Sequence, residues 1–90
     1  MRRKMMARIV RDRDGEGYFG SRVEAIDLET GKYEFVNGPV IGKCLKVGTM
    51  TAGMFSKRDW WCTTPVLAIL ESTDDSVRFK TKNSTYTFYR

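Results

Sequence analysis

The sequence predicts an all-β protein, and three observations lead there. No segment of eleven or more residues keeps the 3.6-residue apolar period of an amphipathic helix. Short runs alternating apolar and polar residues recur along most of the chain, bounded by Gly, Asn, Asp or Pro. The chain has 90 residues, enough for one domain that buries only about 60 to 65% of the surface its unfolded form exposes. Five or six strands of this length do not fill a large sandwich. The expected architecture is therefore a small antiparallel barrel, closed or half open, of SH3-like or OB-like type.

Residues 1–6 read as a basic N-terminal tail and 7–90 as the single β domain, because Arg2, Arg3 and Lys4 precede Met5 and Met6. Val23 to Leu28 and Tyr33 to Val36 flank Glu29-Thr30-Gly31-Lys32, where Gly31 can take a positive φ, which predicts a hairpin. Asn37-Gly38-Pro39 ends it, since proline has no N–H for a ladder. Lys43 to Val47 predicts a short strand between Gly42 and Gly48, and Thr49 to Lys57 carries a weaker pattern. Trp60 to Thr63 and Val66 to Leu70 are strand-like on either side of Pro65, which marks an edge or a bulge. A rival assignment makes Thr64 an N-cap and Pro65 the start of one short helical turn. The short, continuously apolar run after Pro65 favours the strand.

Val77 to Thr81 and Thr85 to Tyr89, around a turn at Asn83-Ser84, predict a second hairpin. Pairing Lys82 with Thr85 places Phe79 opposite Phe88 and Thr81 opposite Tyr86 on an apolar face. The other face then holds Arg78, Lys80 and Lys82 against Tyr89, Thr87 and Thr85.

Composition narrows the chemistry. Histidine is absent, which removes Ser-His-Asp and Cys-His catalysis, facial-triad iron and most catalytic zinc sites. Cys44 and Cys62 have 17 residues between them and no secretion signal ahead of them, so reduced, buried thiols are expected. Asp74-Asp75, between apolar strands, reads as a turn, and no Lys-Ser/Thr follows the glycines from Gly38 to Gly53 at phosphate-loop spacing. The expectation is a binding protein, not an enzyme, without a cofactor. No apolar run approaches the roughly 20 residues of a membrane helix, and Arg8 and Arg11 break the apolar stretch a signal peptide needs. A cytoplasmic protein with no membrane partner is expected.

The string Trp61-Cys62-Thr63-Thr64-Pro65-Val66, followed by Phe79-Lys80-Thr81-Lys82-Asn83-Ser84-Thr85-Tyr86, resembles a pattern in small uncharacterised bacterial and bacteriophage proteins. It covers under a third of the chain. The resemblance implies a small accessory protein, phage-encoded, and brings no activity with it.

The net charge of +5 is uneven: residues 1–22 hold seven basic and three acidic side chains, residues 23–90 nine and eight. A basic arm attracts a polyanion through counterion release, or simply keeps a chain soluble. Neighbouring strand residues point to opposite sides of a sheet, so Trp60 and Trp61 cannot share one core. Either one indole is exposed beside Lys57 and Arg58 as a recognition surface, or the second lies under the loop from Thr49 to Lys57. Arg78, Lys80 and Lys82, about 7 Å apart along their strand, can track phosphates while Tyr89 stacks on a base. The same strip also suits a merely solvated face. Asp12-Arg13-Asp14-Gly15-Glu16-Gly17 resembles the opening half of an EF-hand loop, with Asp12, Asp14 and Glu16 as metal ligands. Its closing ligand is missing, because Val23 holds position twelve, and the bland reading is an acidic turn between two strands.

Three functional expectations follow. The first is a module binding an anionic partner, single-stranded nucleic acid or a nucleotide, through Lys57, Arg58, Trp60, Trp61, Arg78, Lys80, Lys82 and Tyr89. The second is a protein-interaction module, an inhibitor or adaptor, anchored by an exposed Trp. The third is a calcium-binding loop. Sheet edges in so small a fold also invite a homodimer.

Overall fold

A computed structural model describes residues 6–51 and 54–90, with backbone alone for 49–51 and 54–59. The all-β expectation holds: the described residues contain strands and turns and no helix. The described residues form nine strands, β1 (Ala7–Arg11), β2 (Gly17–Gly20), β3 (Arg22–Ile26), β4 (Tyr33–Phe35), β5 (Cys44–Thr51), β6 (Met54–Cys62), β7 (Val66–Ser72), β8 (Ser76–Thr81) and β9 (Thr85–Tyr89). They form two antiparallel sheets, a five-stranded one in the order β2-β1-β9-β8-β7 and a four-stranded one in the order β4-β3-β5-β6.

A closed barrel of five or six strands is thus corrected to two facing sheets. Two runs of chain serve both sheets, which is why the strand count exceeds expectation. One passes from β2 to β3 through Ser21, the other from β6 to β7 through Thr63-Thr64-Pro65. At the first corner the backbones approach so closely that a Cβ on Gly20 would overlap the carbonyl group of Gly48. At the second, Pro65 has no N–H to continue a ladder, so closure fails there. Val66 instead donates its N–H to the Lys43 carbonyl at 3.0 Å and accepts from the Gly42 N–H at 2.9 Å. This exchange supports a strand at Val66, so the short helical turn considered at Thr64-Pro65 is also corrected.

The core lies between the sheets. Ile9, Leu45, Val47, Val66, Phe79 and Phe88 are its largest fully buried side chains, and each stands on the inward side of a strand that alternates by twos. Phe79 and Tyr86 are opposite one another with rings stacked at 5.4 Å. The β3–β4 hairpin forms as expected, with Gly31 at φ 75° and the Asp27 carboxylate accepting the Glu29 N–H at 2.9 Å. The β8–β9 hairpin forms too, but in another register. Thr81 N–H donates to the Ser84 carbonyl at 2.8 Å, which makes Lys82-Asn83 the turn. Phe79 therefore faces Tyr86, and Val77 faces Phe88. The slip is two residues, so the inward and outward sets are unchanged.

Candidate nucleic-acid interface

The outward side of the five-stranded sheet is built by register. On β2, β1 and β9, Phe19, Arg8 and Tyr89 are direct cross-strand neighbours in that order. All three are exposed, the rings at 55% for Phe19 and 44% for Tyr89. Adjacent strands lie about 4.8 Å apart, so a cation sits in line between two aromatic faces. The Arg8 guanidinium leans towards Tyr89, 5.9 Å from its ring centroid, and Phe19 stacks on Tyr18 at 5.6 Å. The next row reads Val10, Thr87, Arg78 and Glu71, and the one after it Thr85, Lys80 and Ala68. Lys82 follows at the turn, exposed.

Arg78, Lys80, Lys82 and Tyr89 thus share one face, as the alternation predicts. The corrected register moves Tyr89 away from Arg78 and sets it between Ser76 and Arg8. Arg78 is held: its Nε donates to Asp12 Oδ2 at 3.0 Å, and Thr87 Oγ1 donates to Asp12 Oδ1 at 3.2 Å. Arg8, Lys80 and Lys82 carry no ion pair among the described residues.

The tryptophans lie elsewhere, on β6 of the other sheet. Trp61 faces inward opposite Val47, packs against the core and has the Arg11 guanidinium 5.0 Å from its ring. Its indole N–H is buried without a partner among the described residues. Trp60 faces outward at 38% exposure with Lys46 Nζ 4.6 Å from its ring. Lys57 and Arg58 belong to β6, and their side chains lie outside the described residues. The single site expected from the sequence is therefore two sites, with the basic strip and Tyr89 on one sheet and Trp60 on the other.

The loop read for calcium has a geometry of its own. Asp12 to Gly17 folds as the turn of the β1–β2 hairpin, with Gly15 at φ 75° and its N–H donating to the Arg11 carbonyl at 2.8 Å. Asp12 is engaged by Arg78 and Thr87. Asp14 accepts from Arg11 at 2.7 and 3.0 Å and from the Glu16 N–H at 3.1 Å. The Arg11 hydrogen bonds first, then the Glu16 amide, hold the Asp14 carboxyl down at about 2. Glu16 is exposed apart from both. Among the described residues no three His, Cys, Asp or Glu gather as a metal site. A hairpin between strands sends these carboxylates to neighbouring arginines, whereas an EF-hand needs them turned in on one point.

Cys44 and Cys62 are both free, Cys44 buried and Cys62 exposed, on the outward side of the four-stranded sheet. Cys44 is buried as expected, which raises its thiol, whereas Cys62 is not; partial desolvation and then the neighbouring Cys44 still raise the Cys62 thiol to about 11, and Cys62 Sγ donates to the Thr63 carbonyl at 3.6 Å. Neither is an activated nucleophile.

Two features escape the sequence reading. Arg8 and Phe19 complete the ring-cation-ring row, and the alternation in Arg8-Ile9-Val10 is the signal that could have placed Arg8 outward. The second is a cleft between the open ends of the sheets, lined by residues from five separate stretches of chain. Comparison with protein-family models, with curated proteins and with solved structures returns no match for this chain.

Proposed function

We propose that the outward face of the five-stranded sheet binds single-stranded nucleic acid and leaves it chemically unchanged. The observation that carries this reading is the row Phe19, Arg8, Tyr89, two exposed rings with an exposed guanidinium between them. Unpaired bases stack on aromatic faces and on guanidinium planes whatever their identity. Lys80 and Lys82, about two and three β repeats further along, supply phosphate contacts. A strand crossing the row lays bases over β2, β1 and β9 while its backbone passes the lysines. A mononucleotide engages only one ring and one or two cations, so affinity rises with oligomer length.

The test is fluorescence anisotropy with labelled single-stranded oligonucleotides of increasing length at two salt concentrations. Length-dependent binding that weakens with salt and falls in Tyr89→Ala supports the reading. No binding at low salt, or binding indifferent to Tyr89→Ala and Phe19→Ala, overturns it.

A second reading has its own observation. The outward side of the four-stranded sheet exposes Tyr33 at 55%, Phe35 at 66% and Trp60 at 38%. Such a surface suits a protein partner anchored by an aromatic side chain. Trp60→Ala abolishing capture of one protein, with oligonucleotide binding intact, would favour it.

A further inference from the structure

The cleft between the open ends of the sheets holds about 540 Å³, within the range of small-molecule sites. One wall is Phe35, Val36 and Asn37, where the chain leaves β4. The opposite wall is the Asp74-Asp75 turn between β7 and β8. Its floor includes Ala7 and Val23, both part of the buried core. The cleft is therefore apolar below and acidic at the rim, while the Phe35 ring at its edge already carries the Arg22 guanidinium, which Glu24 neutralises.

The electrostatics select among ligands. Arg90, which also lines the cleft, is tied to the acidic wall: its Nη1 donates to the Thr73 carbonyl at 2.7 Å, and its main-chain N–H donates to the Asp75 carbonyl at 2.9 Å. The Asp74 and Asp75 carboxylates accept no hydrogen bond and join no ion pair among the described residues. Two unpaired carboxylates against one tethered guanidinium leave the rim negative in a chain of net charge +5. An anion meets two like charges there, and a wholly apolar ligand leaves both carboxylates unused. A cation on an aliphatic stem matches both floor and rim, its stem on Val23 and Val36 and its head at Asp74 and Asp75. We infer that this cleft binds an alkylammonium group, either a free amine or the lysine side chain of a partner.

Amide NMR titrations of the protein with n-pentylammonium chloride, 1-pentanol and Nα-acetyl-lysine N-methylamide test this. The ammonium should shift the amides of Asn37, Asp74 and Asp75 to saturation and bind at least about tenfold tighter than the alcohol, equivalent to about 1.4 kcal/mol. Asp74→Asn with Asp75→Asn should erase that advantage and leave weak pentanol binding, while Val36→Ala, at the end of the edge strand β4, weakens both ligands. These variants alter an exposed turn and an edge strand, and unchanged amide shifts elsewhere verify the fold. A lysine derivative that binds at least as tightly as the simple amine identifies a partner side chain. One that binds tenfold more weakly identifies a free amine. Equal affinity for amine and alcohol, an advantage that survives the double substitution, or no shift at these amides overturns the inference.

Discussion

The two outward sheet faces use the same residue types and commit them differently. On the four-stranded sheet each described cation is engaged within the molecule. Arg22 Nε pairs with Glu24 at 2.6 Å and its guanidinium covers Phe35, Lys46 covers Trp60, and Lys43 pairs with Glu34 at 2.9 Å. On the outward side of the five-stranded sheet Arg78 is ion-paired and Arg8 leans on the Tyr89 ring, while Lys80 and Lys82 are exposed and carry no ion pair among the described residues. Charge and aromatic content alone do not distinguish a binding face from a self-satisfied one. What distinguishes them is whether every described cation already has a carboxylate or a ring, as on the four-stranded sheet, or some have neither, as Lys80 and Lys82 do.

The sharpest test of this contrast is Glu24→Ala. Glu24 and Arg22 are the least exposed ion pair, with side chains at 5% and 13%, and removing one partner leaves a charge in a poorly solvated place. A loss of about 3 kcal/mol of unfolding free energy is expected in urea denaturation. Asp12→Ala on the other sheet removes a pair whose side chains are 30% and 50% exposed. It should cost less than about 1 kcal/mol. Equal losses would show that the two faces are not built differently.

Next in size comes affinity. Arg8→Ala should weaken oligonucleotide binding about tenfold and lower the slope of log affinity against log salt by about one. Lys46→Ala should leave both unchanged, because Lys46 already covers Trp60. If the two substitutions weaken binding alike, the interface is not confined to the five-stranded sheet. Asp12→Asn should tighten binding by a few fold, since it frees Arg78 for a phosphate and removes a repelling charge. That gain is read by anisotropy at low salt.

What could be read from the sequence was what depends on neighbours in the chain. Period-two alternation placed Arg78 and Lys80 outward with Phe79 and Val77 inward, and Gly31 marked the β3–β4 turn. The two-residue slip in β8–β9 left that sorting intact, since facing depends on parity while register depends on which turn residues close. Arg8 was missed because it was counted among the basic charges of residues 1–22, not as one face of a strand. Even read as a strand, β1 gives no hint that β9, from the far end of the chain, lies beside it. The Arg8–Tyr89 contact is thus invisible to local pattern, as are the corner at Gly20 and the cleft whose walls come from β4 and the β7–β8 turn.

The smallest effect concerns how firmly Arg11 is held. Arg11 sits at the end of β1 on the side of Ile9, with Asp14 as its ion-pair partner and its guanidinium over the Trp61 ring. A carboxyl held at about 2 in the folded chain, against 3.8 ordinarily, stabilises the fold fully above its ordinary value. That contribution fades as pH falls from about 4 through about 2. Carboxyl carbon NMR should therefore show Asp14 titrating near 2, and Arg11→Gln should return its midpoint towards 3.8, with little change in denaturation at pH 7. A midpoint near 4 in the unaltered protein would mean that Asp14 does not hold Arg11. Arg11 would then be held by the Trp61 ring alone, 5.0 Å away.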